Sequence, residues 1–214
     1  MKYLYLVLSK TSTLTGRIIR FYTKETVNHS AISLTEDLTQ MYTFARKRAC
    51  NCIDGGLVLE SPNTLRFGGK YECYIQVYRI PVTQQQYQLA KEYINSIKDD
   101  PDCYMYNTLQ LFTRIFNKHK NIYKSFVCTE FSISLLQYIG YKFSEDFLNY
   151  LTPGHMAEYF SDYLFYYGNV LNYPPVKSVH YNDKIFFTSF GTLYEFLYAA
   201  KYLAKLIKRA SRTA

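Results

Sequence analysis

The stretch Ser125–Leu136, SFVCTEFSISLL, places one cysteine at the start of an apolar helix. Phe131, Leu135 and Ile139 follow Cys128 at offsets of three, seven and eleven residues, so they share the inward face of a helix whose first turn holds the thiol. A free cysteine on such a stripe can simply pack in a core. Alternatively, the unpaired N–H groups and the positive dipole end of the first turn can stabilise a catalytic thiolate.

The composition limits the classes of protein that the chain can represent. Its 214 residues, 48% of them hydrophobic, are enough to bury a core in one domain. The net charge of +8 permits an anionic partner without identifying one, and no nucleic-acid ligand is expected. No segment approaches the roughly twenty apolar residues of a membrane span. Five cysteines, an odd number, fit a reducing compartment, so a cytoplasmic location is expected.

The hydrophobic periodicity predicts an α+β fold. An antiparallel pair of strands is predicted in HSAISL and TQMYTFAR, between two further strands in YLYLVL (3–8) and CYIQVYRIPV (73–82). Helices are predicted over 11–23, after Thr83 as an N-cap, and over about 108–117. Residues 47–70, which contain several glycines and a proline, are interpreted as an irregular loop with short strand pieces.

The C-terminal residues 186–214 are predicted to extend a first domain that spans residues 1–185. From Thr192 they form an amphipathic helix with a basic side. Such a helix can dock on its own domain with a solvated basic end. It can also bind a partner protein, or contact an anionic membrane peripherally through residues 192–212.

The four histidines differ in their surroundings. His119, His155 and His180 lie in polar connections and are interpreted as solvent-facing. His29 begins the strand HSAISL, which would hold its imidazole in a fixed direction. The pattern alone still favours a hydrogen-bonded histidine at a strand end.

Three segments carry a family resemblance: LVLSKTSTLTGRIIRFYTKETVNHSAISL, QMYTFAR and SFVCTEFSISLL. In this order they resemble the opening strand, helix and histidine strand, the next strand, and the nucleophile helix of the circularly permuted papain-like hydrolases. The similarity is to the YiiX-type branch of the NlpC superfamily and spans about residues 1–175. It implies an antiparallel sheet packed against a nucleophile helix, with the histidine before the cysteine.

The resemblance implies that Cys128 is the nucleophile and His29 the general base. The expected activity is that of an amidase, peptidase or acyltransferase, which forms a thioester with the acyl group of an amide- or ester-containing small molecule, peptide or lipid. The alternative is a catalytically inactive binding or structural protein of the same fold. No cofactor or metal is expected, because Cys50, Cys52 and Cys73 lack a C-x-x-C pair and a suitably spaced histidine.

A third polar residue, expected from the strand after His29, should orient the imidazole. Gln40 is favoured because its amide oxygen can accept a hydrogen bond from the ring. Thr43 and Tyr42 remain alternatives, since a register error of one residue exchanges the two faces of the strand. Glu130 is predicted to point away from the thiol and to have a structural or helix-dipole role.

Overall fold

The computed structural model describes residues 1–12, 16–17, 20–21, 24–113, 122–149, 151–178 and 183–212. The described strands are β1 (Lys2–Lys10), β2 (His29–Ser33), β3 (Met41–Arg48), β4 (Asn51–Glu60), β5 (Tyr74–Val82), β6 (Met105–Tyr106), β7 (Ser125–Phe126) and β8 (Leu164–Asn169). Six of them form an antiparallel sheet in the order β4-β3-β2-β1-β5-β8, and β6 pairs with β7 in parallel.

Eight α-helices are described, and short 3-10 turns surround β8. The helices are α1 (Pro62–Leu65), α2 (Gln84–Lys98), α3 (Thr108–Thr113), α4 (Cys128–Tyr138), α5 (Glu145–Asn149), α6 (Pro153–Tyr159), α7 (Lys184–Phe187) and α8 (Thr192–Arg212). No helix in this part of the chain combines the length and the apolar character needed to span a bilayer. The predicted α+β class and the C-terminal helix are confirmed.

Both faces of the sheet are covered around its central strand, β1. Leu4, Leu6 and Leu8 belong to the core cluster that α2 and α4 complete, whereas Tyr5 and Val7 belong to a second cluster on the opposite face. Because successive side chains of a strand point to opposite faces, only a nearly continuous apolar run can serve both cores. This explains the composition of YLYLVL.

The helix α4 packs its predicted stripe against β2 and β3. Phe131 and Leu135 are fully buried, and Ile139, which follows the helix, is 3% exposed. The ring of Phe131 lies 5.3 Å from that of Phe44 on β3, measured between centroids. Cys128 is the first residue of α4, as the sequence predicts.

The predicted antiparallel pairing of HSAISL with QMYTFAR is confirmed by β2 and β3. The interpretation of residues 47–70 as an irregular loop with short strand pieces is wrong for the first part of this segment. Residues Asn51–Glu60 form a ten-residue strand that pairs with β3. At Gly55, an added Cβ atom would lie 2.6 Å from the Cβ of Tyr106 and 2.7 Å from the carbonyl oxygen of Ala45. The glycine therefore allows β6 to cross the sheet closely and does not mark a turn.

The described residues leave two predicted helices incomplete. Of the helix predicted over 11–23, residues 13–15, 18, 19, 22 and 23 lie outside the described part, as do 114–117 of the second predicted helix. The helix predicted after Thr83 is confirmed as α2, and the Thr83 side chain accepts a hydrogen bond from the backbone N–H of Gln86.

The helix α8 docks on the chain's own strands along one face. Leu206 and Ala210 pack in a small cluster with residues of the β6–β7 region, and the Tyr202 hydroxyl lies 3.0 Å from the carbonyl oxygen of Gly55 and 2.9 Å from that of Tyr106. One of the alternatives for this helix, docking on its own domain, is thus observed.

Candidate active site

The fold brings Cys128 and His29 together. Cys128 starts α4, His29 starts β2, and α4 packs across β2. The two side chains lie close enough for each to shift the pKa of the other, and both residues are partly exposed. A partly exposed thiol at a helix start is accessible to a substrate, which a fully buried core cysteine is not.

A carboxylate occupies the other side of the imidazole. Oε2 of Glu60 lies 2.8 Å from Nε2 of His29, and the two side chains are only 12% and 13% exposed. Since Nε2 is engaged by Glu60, Nδ1 is the ring nitrogen that remains for the thiol of Cys128. A thiol, an imidazole and a carboxylate thus follow one another, which is the order of groups in a Cys-His-acid triad.

This geometry corrects the predicted third residue. Gln40 is exposed in the turn before β3, where its backbone N–H donates to Thr35 Oγ1 and its carbonyl oxygen accepts from the N–H of Leu34. In the sheet, Glu60 pairs with Met41, the residue after Gln40. The contact with His29 therefore comes from the strand beyond the predicted one.

The two alternatives for the third residue also have other partners. The hydroxyl of Tyr42 accepts a hydrogen bond of 2.8 Å from Nζ of Lys98, whose ammonium lies 4.2 Å from the Tyr42 ring centroid. The hydroxyl of Thr43 donates to the carbonyl oxygen of Ser30 at 2.7 Å. Thr43 thus supports the strand beside the thiol.

The electrostatics of the pair favour a thiolate next to an imidazolium. Burial acts to lower the pKa of His29, but the negative charge of Glu60 and the contact with Cys128 raise this pKa well above its ordinary value. Burial acts to raise the pKa of Cys128, yet the hydrogen bond and positive charge of His29, together with hydrogen bonds from Ser30, lower it. Both shifts stabilise the charged forms.

Buried hydroxyl groups lie behind the thiol. Ser30 Oγ is 3.2 Å from Ser132 Oγ, and the Ser132 hydroxyl donates to the carbonyl oxygen of Cys128 at 3.1 Å. Both serines are fully buried, and the backbone and side chain of Ser30 contribute to the lowered pKa of the Cys128 thiol. These contacts connect Ser30, the residue after His29, with Cys128 and hold the start of α4 against β2. These contacts could not be predicted from the sequence, because a serine in HSAISL has no distinguishing signal.

Glu130 supports the start of the nucleophile helix. Its Oε2 accepts from the N–H of Val127 at 2.9 Å, and its Oε1 accepts from Nε2 of Gln110 at 2.7 Å. Gln110 is itself fully buried, and its Oε1 accepts from Asn107 Nδ2 at 3.1 Å. The predicted structural role of Glu130 is therefore confirmed.

The remaining candidate residues lie elsewhere. The backbone N–H of His155 donates to Thr152 Oγ1 at the start of α6, whereas His119 and His180 lie outside the described residues. Cys50 is exposed and Cys73 is buried. Within the described part of the chain, no three His, Cys, Asp or Glu side chains are grouped so that they could hold a metal ion.

The comparisons with known proteins give no family. No protein-family model matches the chain, and a search of curated proteins finds no match. The features that bear on function are therefore the chemistry of Cys128, His29 and Glu60, and the chain order that places the strand of His29 before the helix of Cys128.

Proposed function

We propose that the protein is a cysteine-dependent acyl-transferring enzyme of the permuted papain-like type, an amidase, peptidase or acyltransferase that works through a thioester on Cys128. The observation that carries the proposal is the arrangement of Cys128, His29 and Glu60. A thiol at a helix start lies beside an imidazole whose Nε2 is 2.8 Å from a carboxylate oxygen, and the imidazole lowers the pKa of the thiol. The antiparallel sheet packed against α4 supports the proposed fold.

The proposed reaction has two steps. The Cys128 thiolate attacks the acyl carbon of an amide or ester, and a C–S bond forms. The C–N or C–O bond then breaks, and the leaving amine or alcohol takes the proton of the His29 imidazolium. In the second step His29 removes a proton from water or another acceptor, which attacks the thioester, and the C–S bond breaks to regenerate the thiolate.

The start of α4 supplies stabilisation for the negative oxygen of each tetrahedral intermediate. Backbone N–H groups in the first turn of a helix have no intrahelical acceptor. They stand beside the thiol at the positive end of the helix dipole, where donors would lie close to the developing oxyanion. The helix thus contributes to both the thiolate and the transition state.

The charge of Glu60 favours an active enzyme over an inactive relative of the same fold. A neutral residue such as glutamine would orient the imidazole but would stabilise its positive charge less than a carboxylate does. The observed carboxylate lies at hydrogen-bonding distance and is largely shielded from solvent. Such a contact strengthens the ion pair from which the reaction starts.

Alkylation with iodoacetamide, followed peptide by peptide with mass spectrometry across pH, tests this proposal. Cys128 should react well below the ordinary cysteine pKa of about 8.5, whereas the exposed Cys50 serves as a comparator within the same chain. His29→Ala should move the pH profile of Cys128 alkylation to higher pH. A chromogenic ester should add its acyl group to Cys128 and leave Cys128→Ala unmodified. If Cys128 reacts no faster than Cys50 at low pH, and His29→Ala changes nothing, the proposal is wrong.

A further inference from the structure

The helix α8 has two apolar faces, and the described part of the chain covers one of them. The covered face contains Ala199, Leu206 and Ala210. The opposite face carries large side chains that are between 52% and 73% exposed, namely Leu193, Phe196, Leu197 and Ile207. Their offsets of 3, 4 and 14 residues from Leu193 place them on one side of the helix, together with Ala200 and Ala204.

A row of positive charge borders this exposed stripe. Starting from Leu197, offsets of 4, 8, 11 and 15 residues give Lys201, Lys205, Lys208 and Arg212, all exposed. The acidic residue of α8, Glu195, is turned to the covered face, where it forms a salt bridge of 2.9 Å with Arg48. The exposed side of the helix is therefore apolar and cationic, without negative charge of its own.

Aromatic side chains continue the same border towards the N-terminal end of the helix. The ring centroids of Phe190 and Tyr194 are 5.4 Å apart, and those of Tyr194 and Tyr198 are 5.9 Å apart. These three residues are between 38% and 60% exposed. Tyrosine combines an apolar ring with a polar hydroxyl, which suits it to the boundary between water and lipid.

We propose that this face of α8 binds the surface of an anionic lipid bilayer. The helix would lie parallel to the surface, with the apolar stripe at the boundary of the acyl chains and the basic row against the headgroups. A second copy of the chain fits this face less well, because packing two stripes together in antiparallel orientation would bring two basic rows near each other. The proposal is independent of catalysis, so Cys128→Ala should bind lipid as the wild type does.

Co-sedimentation of the full chain with vesicles tests the proposal. Wild-type protein should bind vesicles of phosphatidylcholine and phosphatidylserine at low salt, bind them less at high salt, and bind phosphatidylcholine alone weakly. The double variant Phe196→Ser, Leu197→Ser should bind at least about tenfold more weakly, because it removes buried apolar area from the complex. Both side chains are exposed in the free protein, so its circular dichroism should stay unchanged.

A charge variant tests the basic row, and two control variants separate this face from general effects of charge and hydrophobicity. Lys201→Ala with Lys208→Ala should weaken binding roughly 25-fold, since each basic residue near an anionic surface contributes about fivefold. Lys10→Ala with Lys142→Ala removes the same charge from exposed positions outside α8 and should retain binding. Leu164→Ser, on β8 at the opposite edge of the sheet, is the apolar control.

Three outcomes would overturn the proposal. One is that the wild type does not bind the phosphatidylserine vesicles at low salt. Another is that the control variants lose as much binding as the α8 variants. The third is that the Phe196→Ser, Leu197→Ser variant changes the oligomeric state in analytical ultracentrifugation while vesicle binding is unaffected, which would assign the face to a second copy of the chain.

Discussion

Replacing Glu60 by glutamine would remove one negative charge from the active site while nearly preserving the shape of the side chain. In the wild type, the carboxylate lies 2.8 Å from Nε2 of His29, and both side chains are largely shielded from water. A hydrogen bond to a charged group contributes about 1.5–3 kcal/mol to the charged form. At about 1.4 kcal/mol per pH unit, the pKa of His29 should therefore fall by about one to two pH units.

The variant should shift one limb of the activity profile. Acylation of Cys128 needs a deprotonated thiol, which sets the acidic limb of the profile. It also needs a protonated His29, which sets the alkaline limb. Loss of the Glu60 charge lowers the pKa of His29, so the alkaline limb of kcat/KM should move to lower pH by the same one to two pH units. The acidic limb reports the thiol beside an imidazolium that is already protonated, and it should move much less.

Two measurements test this chain of reasoning. An NMR titration of the His29 ring gives its pKa directly, and hydrolysis of a chromogenic ester at a series of pH values gives the alkaline limb. Gln40→Ala is the matched control, because Gln40 is exposed and its backbone bonds with Thr35 and Leu34 survive the change. An unchanged titration in Glu60→Gln, or an equal shift in Gln40→Ala, would refute the assignment of Glu60 as the orienting residue.

Three further predictions concern the same site. Ser30→Ala removes a hydroxyl that helps to lower the pKa of the Cys128 thiol, so alkylation of Cys128 at a pH below its midpoint should slow about tenfold; an unchanged rate would exclude a contribution from this hydroxyl. Glu130→Ala should lower the free energy of unfolding by about 1 kcal/mol, as the loss of a helix cap does, while an NMR titration finds the pKa of His29 unchanged. The last prediction concerns unfolding by urea at a series of pH values. Because the pKa of His29 is raised and that of Cys128 is lowered in the folded protein, the difference in stability between the wild type and the double variant His29→Gln, Cys128→Ala should be largest near neutral pH. It should fall at lower pH, where the unfolded chain binds more protons than the folded pair, and at higher pH, where the unfolded chain binds fewer.

Local periodicity predicted the elements that hold the nucleophile and the base. The stripe of Phe131, Leu135 and Ile139 specifies a helix with Cys128 in its first turn, because each of these contacts is set by spacing within one element. The alternation in HSAISL likewise places His29 at a strand end. Neither pattern shows that the two side chains meet, which depends on the packing of α4 across β2. The expectation that the two side chains meet came from the resemblance to the permuted papain-like hydrolases.

The third residue could not be found in this way because it depends on a pairing between strands. Glu60 ends a strand that contains Gly55 and Gly56, and these glycines hide its alternation. The structural reason for Gly55 is the close passage of Tyr106, a contact between segments about fifty residues apart in sequence. The last four residues of β4, Leu57–Glu60, are apolar except for Glu60. Once the strand is recognised, Glu60 is therefore the acidic candidate at its end.

Two carboxylates support the active site in opposite ways, and their positions decide their effects. Glu60 contacts the base, so its charge stabilises the imidazolium and, through it, the thiolate. Glu130 lies in the nucleophile helix, where a negative charge opposes the thiolate, but its oxygens are occupied by the N–H of Val127 and the amide of Gln110. Its charge is therefore used to cap the helix that orients Cys128. The carboxylate close in sequence to Cys128 thus has a structural role, and the one that contacts His29 is 68 residues away from Cys128.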